Sequence, residues 1–232
     1  MTRALLLLFL GAVALAGCGS GGTDPILGAA LDEASDLLPL PGRKEPEPAA
    51  PGRPITRADI ARSNTAAIWA RLEGDPAPTL MYAVASNRGG VTFMSGFRQA
   101  VVIRGSLVSG TRGMGTNLMA AWSEGRDPLV AATPPASWPA RVVRHYEFPS
   151  DAPEGVVMTF DCRFERGAAA EMTILEVRHV GVEISETCTG PAGTFENLHF
   201  ADASGAVWRS LQWIGPTMPL IDVQVVEPYT GG

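Results

Sequence analysis

Between residues 79 and 227 the chain alternates apolar and polar positions in short runs, punctuated by Gly, Pro, Asn and Asp. That period-2 pattern predicts about eleven strands: 79–85, 91–97, 99–104, 107–112, 140–148, 155–165, 170–180, 182–188, 195–201, 206–214 and 220–227. Turns are expected at 86–90, 105–106, 166–169 and 180–181. A loop or short helical turn is expected over 113–119, and an irregular proline-rich stretch over 127–139. Many short, evenly spaced strands favour an antiparallel meander that is curled or barrel-like, since closure limits exposed edges. The fold class read from the sequence is therefore mainly β, with one or two N-terminal helices.

Those helices follow from capping signals. Asp24 at N-cap and Pro25 at N1 open a helix over 26–38, with Leu27, Leu31, Ala34 and Leu38 on one face. That face packs loosely on the domain or, alternatively, lies on a membrane or partner. Thr56 and Asp59 form a near capping box for a second helix, with Ile60, Ala67, Ile68 and Leu72 as its apolar face. It should end before Gly74-Asp75-Pro76. Between the two, residues 39–54 hold six prolines among charges and read as an extended spacer.

Ahead of all this, Arg3 is followed by an apolar run from Ala4 to Ala16, too short to span a bilayer and of signal-peptide length. It ends in Leu15-Ala16-Gly17-Cys18, the bacterial lipobox pattern, with an ordinary secretory signal and an incidental Cys as the weaker alternative. The expected organisation is a signal at 1–17, a lipidated tether at 18–55 and a β-rich domain at 56–227. Two or three acyl chains on Cys18 would make attachment stable. Gly19 rather than Asp follows Cys18, which carries no inner-membrane retention signal. The expected location is the periplasmic face of an outer membrane.

Charge and cysteine content narrow the rest. The net charge is −6, or −7 once Arg3 leaves with the signal, which disfavours nucleic acid. In an oxidising periplasm Cys162 and Cys188 default to a disulfide. The expected turns, however, place one strand between them, about 10 Å of separation, where a disulfide needs Cα atoms within about 7 Å. We keep the disulfide and expect the strand pairing to differ. No metal or other cofactor is expected: two Cys without clustered His make a poor zinc site, and His145, His179 and His199 fall on separate strands. No Gly-x-Ser-x-Gly elbow exists, residues 105–112 lack the P-loop lysine, and Glu183, Glu186, Asp161 and Glu165 carry no distinguishing signal as a carboxylate pair.

Trp208 and Trp213 are five positions apart and so point to opposite faces of a regular strand. One fills the core. The other, with Arg209 or Gln212, is a candidate to stack on a sugar ring or a partner, core packing being the more ordinary role. Arg104 and Arg112 flank residues 105–110 and are candidates to present cations to an acidic glycan, again against the ordinary role of solvated surface.

Several segments together resemble one family: residues 100–119, Arg144-His145-Tyr146, Phe160-Asp161-Cys162, residues 195–200, and the Trp-x4-Trp-x-Gly-Pro ending within 205–216. They are similar to the YjbF/GfcB family of group 4 capsule polysaccharide lipoproteins, over about residues 75–227. The resemblance implies a mainly antiparallel β domain and a role in capsule or exopolysaccharide export, with an outer-membrane export protein and the polysaccharide as expected partners; it implies no catalytic residues. Three functions remain in view. The first is a non-enzymatic outer-membrane lipoprotein supporting polysaccharide assembly or export. The second is a carrier whose sheet holds an acyl chain or glycan, which a dry apolar cavity would favour and a filled interior oppose. The third is a glycan-processing enzyme, which two carboxylates about 5–10 Å apart in a cleft would favour.

Overall fold

The computed structural model describes residues 54–115, 117–151, 155–217 and 220–231. The lipobox at Cys18, the helix expected over 26–38 and the spacer up to residue 53 lie outside them. Thr56 opens α1 (Arg57–Ser63) through a complete capping box: the Thr56 amide donates to Asp59 Oδ2 at 2.9 Å, and the Asp59 amide donates to Thr56 Oγ1 at 3.4 Å. The expected N-terminus is therefore present, but the helix ends at Ser63, well before Gly74-Asp75-Pro76. Asn64 takes the left-handed conformation (φ 49°), which ends the helix as a C-cap. The chain then becomes β1 (Ala67–Leu72), where Ile68, Ala70 and Leu72 turn inward and Arg71 remains exposed. The positions expected to form a helical face thus belong to two elements. Burying Ile68 inside the barrel, worth roughly 1.5–3 kcal/mol, outweighs the local helix preference of this Ala-rich segment, which amounts to tenths of a kcal/mol per residue.

The strands continue as β2 (Thr79–Asn87), β3 (Gly90–Met94), β4 (Ala100–Arg104), β5 (Leu107–Arg112), β6 (Ala120–Ser123), β7 (Arg141–Phe148), β8 (Val156–Ile174), β9 (Val177–Gly190), β10 (Gly193–Ala201), β11 (Val207–Trp213) and β12 (Leu220–Glu227). All pair antiparallel in one twelve-stranded sheet, ordered β5-β4-β3-β2-β1-β12-β11-β10-β9-β8-β7-β6. The sheet curls until its edges β5 and β6 meet, giving a nearly closed barrel. Its seam is held at Thr111, whose amide donates to the Leu118 carbonyl at 2.9 Å and whose Oγ1 accepts from the Leu118 amide at 2.9 Å. Thr111 is buried. Replacing it by Val leaves the Leu118 amide without that acceptor. Thr111→Val should cost about 1–3 kcal/mol in chemical denaturation; an unchanged midpoint would show that the seam does not depend on this contact.

The expected meander is wrong between residues 155 and 188. Turns were expected at 166–169 and 180–181, but β8 and β9 run straight through both. Residues 167–168 form only a register shift between Arg166 and Ala169. Gly181 lies mid-strand because the Ala201 carbonyl oxygen stands 2.3 Å from where a Cβ would be. The actual turn is Leu175-Glu176, both at positive φ (40° and 71°), the backbone of a tight two-residue hairpin. Cys162 and Cys188 are consequently direct neighbours on adjacent strands, with Cα atoms 4.0 Å apart, and the disulfide forms. The geometric conflict came from the turns, not from the pairing of the cysteines.

The tip of the β8–β9 hairpin carries Ile174, which packs with Ile60 of α1, Ala67 and Val226 in a small cluster distinct from the main core. The main core lies inside the barrel. It centres on Trp213, which stacks on Phe195 (4.5 Å between centroids) and meets Tyr146, Phe160 and Phe148 edge-on or tilted at 4.9–5.6 Å.

Candidate functional site

Two features stand out: a charged network sealed in the barrel and an apolar cavity at one end. The network begins with strand parity. On β7, Arg144 shares the inward face with Val142, Tyr146 and Phe148; on β9, Glu186 shares it with Ile184 and Cys188; on β10, Asn197 and His199 also face inward. Arg144 is 0% exposed and donates to Glu186 Oε1 from Nε (3.1 Å) and Nη2 (2.5 Å), and from Nη1 to Asp127 Oδ2 (2.7 Å). Glu186 Oε2 accepts from Asn197 Nδ2 at 2.7 Å and pairs with His199 Nε2 at 3.1 Å. Asp127 also accepts from Ser123 Oγ and the Leu129 amide, which ties the β6–β7 loop to the network. Asn197 Oδ1 receives the Trp213 amide at 2.7 Å.

Burial by itself would raise the Glu186 pKa, but Arg144, His199 and Asn197 outweigh it and hold the carboxyl down at about 2. Burial would likewise lower the Arg144 pKa, and Glu186 and Asp127 instead raise it above its ordinary value. Tyr146 is pushed up, chiefly by burial. Arg144, Glu186 and Asp127 each have a hydrogen-bonded partner of opposite charge. The network reads as a fixed internal brace, not as a pair of carboxylates poised around a substrate. Glu186 also lies beside the two cysteines, but their sulfurs are bonded to each other and offer no thiolate to a metal.

The second feature is a cavity of about 490 Å³ at the end of the barrel where the β2–β3, β4–β5 and β10–β11 turns converge. Ile68, Val91, Phe93, Ile103, Leu129 and Val207 line its depth, with Trp208 and Tyr229 also on its wall. The β6–β7 loop crosses this end and closes one side. It passes so near Gly205 (φ +91°) that a Cβ there would sit 2.3 Å from the Thr133 backbone.

The residues expected to contact a glycan or partner are scattered. Trp213 and Gln212 are both buried. Gln212 cross-links the interior: its Oε1 accepts from the Val108 amide at 3.0 Å, and its Nε2 donates to the Ser106 carbonyl and Ser210 Oγ. Trp208 is half-buried on the opposite face, its Nε1 donating to Asp202 Oδ2 (2.8 Å) and its ring 4.1 Å from that of His179. Burial lowers the His179 pKa. Arg209 forks onto Asp222, at 2.9 and 2.7 Å. Arg104 and Arg112 stand at opposite ends of the β4–β5 hairpin, because Arg104 pairs with Leu107 and Ala100 with Arg112. They form no common cationic patch. His145 rests against Trp122 on the outer wall. The sequence reading missed the Arg144–Glu186–Asp127 brace; the available signal was a charged residue in inward parity on each of two apolar strands.

A disulfide-stapled β barrel with a braced interior defines the class of protein. The chain matches the family model described as group 4 capsule polysaccharide lipoprotein gfcB, YjbF, over residues 48–226, and it belongs to that family. The fold is similar to the crystal structure of the hypothetical lipoprotein YmcC from Escherichia coli (K12), with a TM-score of 0.66 at 15% identity, covering 92% of this chain and 100% of that one. No curated protein matches the chain. The segments that carried the family resemblance supply much of the interior: Arg144 and Tyr146, Phe160 and Cys162, Phe195 to Phe200, and Trp213.

Proposed function

We propose that this chain is a non-enzymatic lipoprotein of the outer membrane, anchored through Cys18 on the periplasmic face, that supports capsule or exopolysaccharide assembly or export. The observation that carries the reading is the family match over residues 48–226, whose description names capsule polysaccharide and lipoprotein. Two structural facts agree with it. Arg144, Glu186 and His199 are closed from solvent, Arg144 and His199 Nε2 both facing the Glu186 carboxylate. The cross-strand disulfide suits an oxidising compartment. Contact with an outer-membrane export protein or with the glycan then falls to the outer wall and the barrel ends. Arg209 remains 44% exposed at its side chain, and Phe97 is 82% exposed in the β3–β4 turn.

Photo-crosslinkers placed at Arg209, Arg112 and Phe97 in cells should capture an outer-membrane export protein, and mass spectrometry of the mature chain should find acylated Cys18. Capture of glycan alone would replace the accessory reading by a glycan-binding one. An unmodified mature terminus other than Cys18 would refute the anchor.

A further inference from the structure

The apolar cavity has no part in the accessory reading. Beyond that reading, and independently of it, we propose that the cavity binds a single-chain acyl lipid with an uncharged head, of the monoacylglycerol class, tail inward. The depth of the cavity is hydrocarbon: Ile68, Phe93, Ile103, Leu129 and Val207, all buried, converge on it with half-buried Val91. Its volume of about 490 Å³ falls within the range of about 300–1,000 Å³ typical of small-ligand pockets, which recur at barrel mouths. At roughly 30 Å³ per chain carbon, close to the liquid volume of one water, it holds one tail and not the two tails of a membrane diacyl lipid.

Polar groups around that depth already have partners within the protein. The Ser106 amide donates to the Leu129 carbonyl at 2.7 Å, and the Ser106 carbonyl accepts from Gln212 Nε2 at 2.8 Å. Trp208 turns its Nε1 to Asp202 Oδ2. A polar ligand group seated there would give up water without a new hydrogen bond, whereas a hydrocarbon tail gives up nothing. The mouth presents no free charge either. Its exposed lining residues are Ser86, Gly89, Gly105, Ala132, Pro228 and Tyr229, none with a charged side chain. The one charged lining residue, Glu227, pairs with Arg57 of α1. Ser86 and Tyr229 carry hydroxyl groups, which suit the ester and hydroxyls of an acylglycerol head. An ionised head would be desolvated at this rim with no counter-charge in return.

The test is calorimetric titration of the full chain carrying Cys18→Ser, which removes the need for detergent. The probes are 1-octanoyl-, 1-decanoyl- and 1-dodecanoylglycerol, each below its micelle concentration. Each should bind one to one, and each extension by two methylenes should tighten binding about tenfold, as expected from the transfer free energy of the added carbons. Dodecanoate and dodecyltrimethylammonium put an ionised head on a tail of similar length. Both should bind about tenfold or more weakly than 1-dodecanoylglycerol. Val207→Trp should fill the cavity and eliminate binding of all three glycerides. Its disulfide and melting transition report whether it still folds, and the tail-length and head-group series on the unaltered barrel decide the matter if it does not. Absence of saturable glyceride binding would overturn the proposal. So would an affinity indifferent to tail length, a charged probe binding as tightly as 1-dodecanoylglycerol, or unchanged binding by a folded Val207→Trp protein.

Discussion

Glu186→Ala is expected to destabilise the barrel by about 3–5 kcal/mol, the penalty for removing one partner of a buried ion pair. Both side chains of the Arg144–Glu186 pair are 0% exposed, so no water replaces the lost carboxylate. Asp127 still faces Nη1, but Nε and Nη2 lose their acceptor, as do Asn197 Nδ2 and His199 Nε2. Urea unfolding followed by tryptophan fluorescence would read the loss as a lower midpoint at unchanged slope. The triple variant Arg144→Met/Glu186→Leu/Asp127→Asn should recover much of it, because it removes the cation together with both carboxylates it pairs and leaves no unpaired buried charge. If the single substitution cost under about 1 kcal/mol, the brace would be incidental to the fold.

The same pair sets an acid limit. The Glu186 carboxyl titrates near 4.5 in an ordinary environment and at about 2 in the folded barrel. Its folded pKa is depressed, so its stabilising contribution is complete above about pH 4.5 and is lost as pH falls through 2. A stability profile of the native chain should therefore decline over that window. Glu186→Ala should be less stable throughout and show a shallower acid decline.

Strand positions were largely legible from period-2 alternation, and β2 to β5, β7 and β10 to β12 lie close to where that pattern put them. The failures have physical causes. Ile60, Ala67, Ile68 and Leu72 share helical spacing, and nothing short of the Asn64 backbone marks the stop. β6 is four residues long and was passed over. The β8–β9 turn uses Leu175-Glu176, which lack the usual turn chemistry, whereas Gly167 and Gly181 imitate turns inside long strands. The misplaced hairpin still left 182–188 as a strand in which Glu186 shares the face of Ile184 and Cys188, but it hid which strands are neighbours and so the meeting of Glu186 with Arg144. The cavity was less legible still. It is assembled from the ends of elements far apart in sequence, such as Ile68, Val91, Leu129 and Val207, and no local pattern announces such a meeting.

Loss of the Cys162–Cys188 bond should cost about 3–4 kcal/mol in the chain-entropy account, given a sequence separation of 26. The effect resides in the unfolded chain, which regains the freedom of that loop; in the barrel, β8 and β9 already hold the two residues face to face. The reduced chain is thus expected to refold to the same barrel with a lower urea midpoint. Both cysteines are 0% exposed within the cluster containing Phe160 and Tyr146, so reductant reaches them only when the hairpin opens. Native protein should therefore resist dithiothreitol for as long as it stays folded, and reduction should accelerate in step with unfolding as urea is added. Fast reduction without urea would mean that β8 and β9 separate locally and that the staple lies in a mobile part of the wall. Equal midpoints for the oxidised chain and for a chain reduced while unfolded and refolded with both thiols free would show that the hairpin gains nothing from the bond.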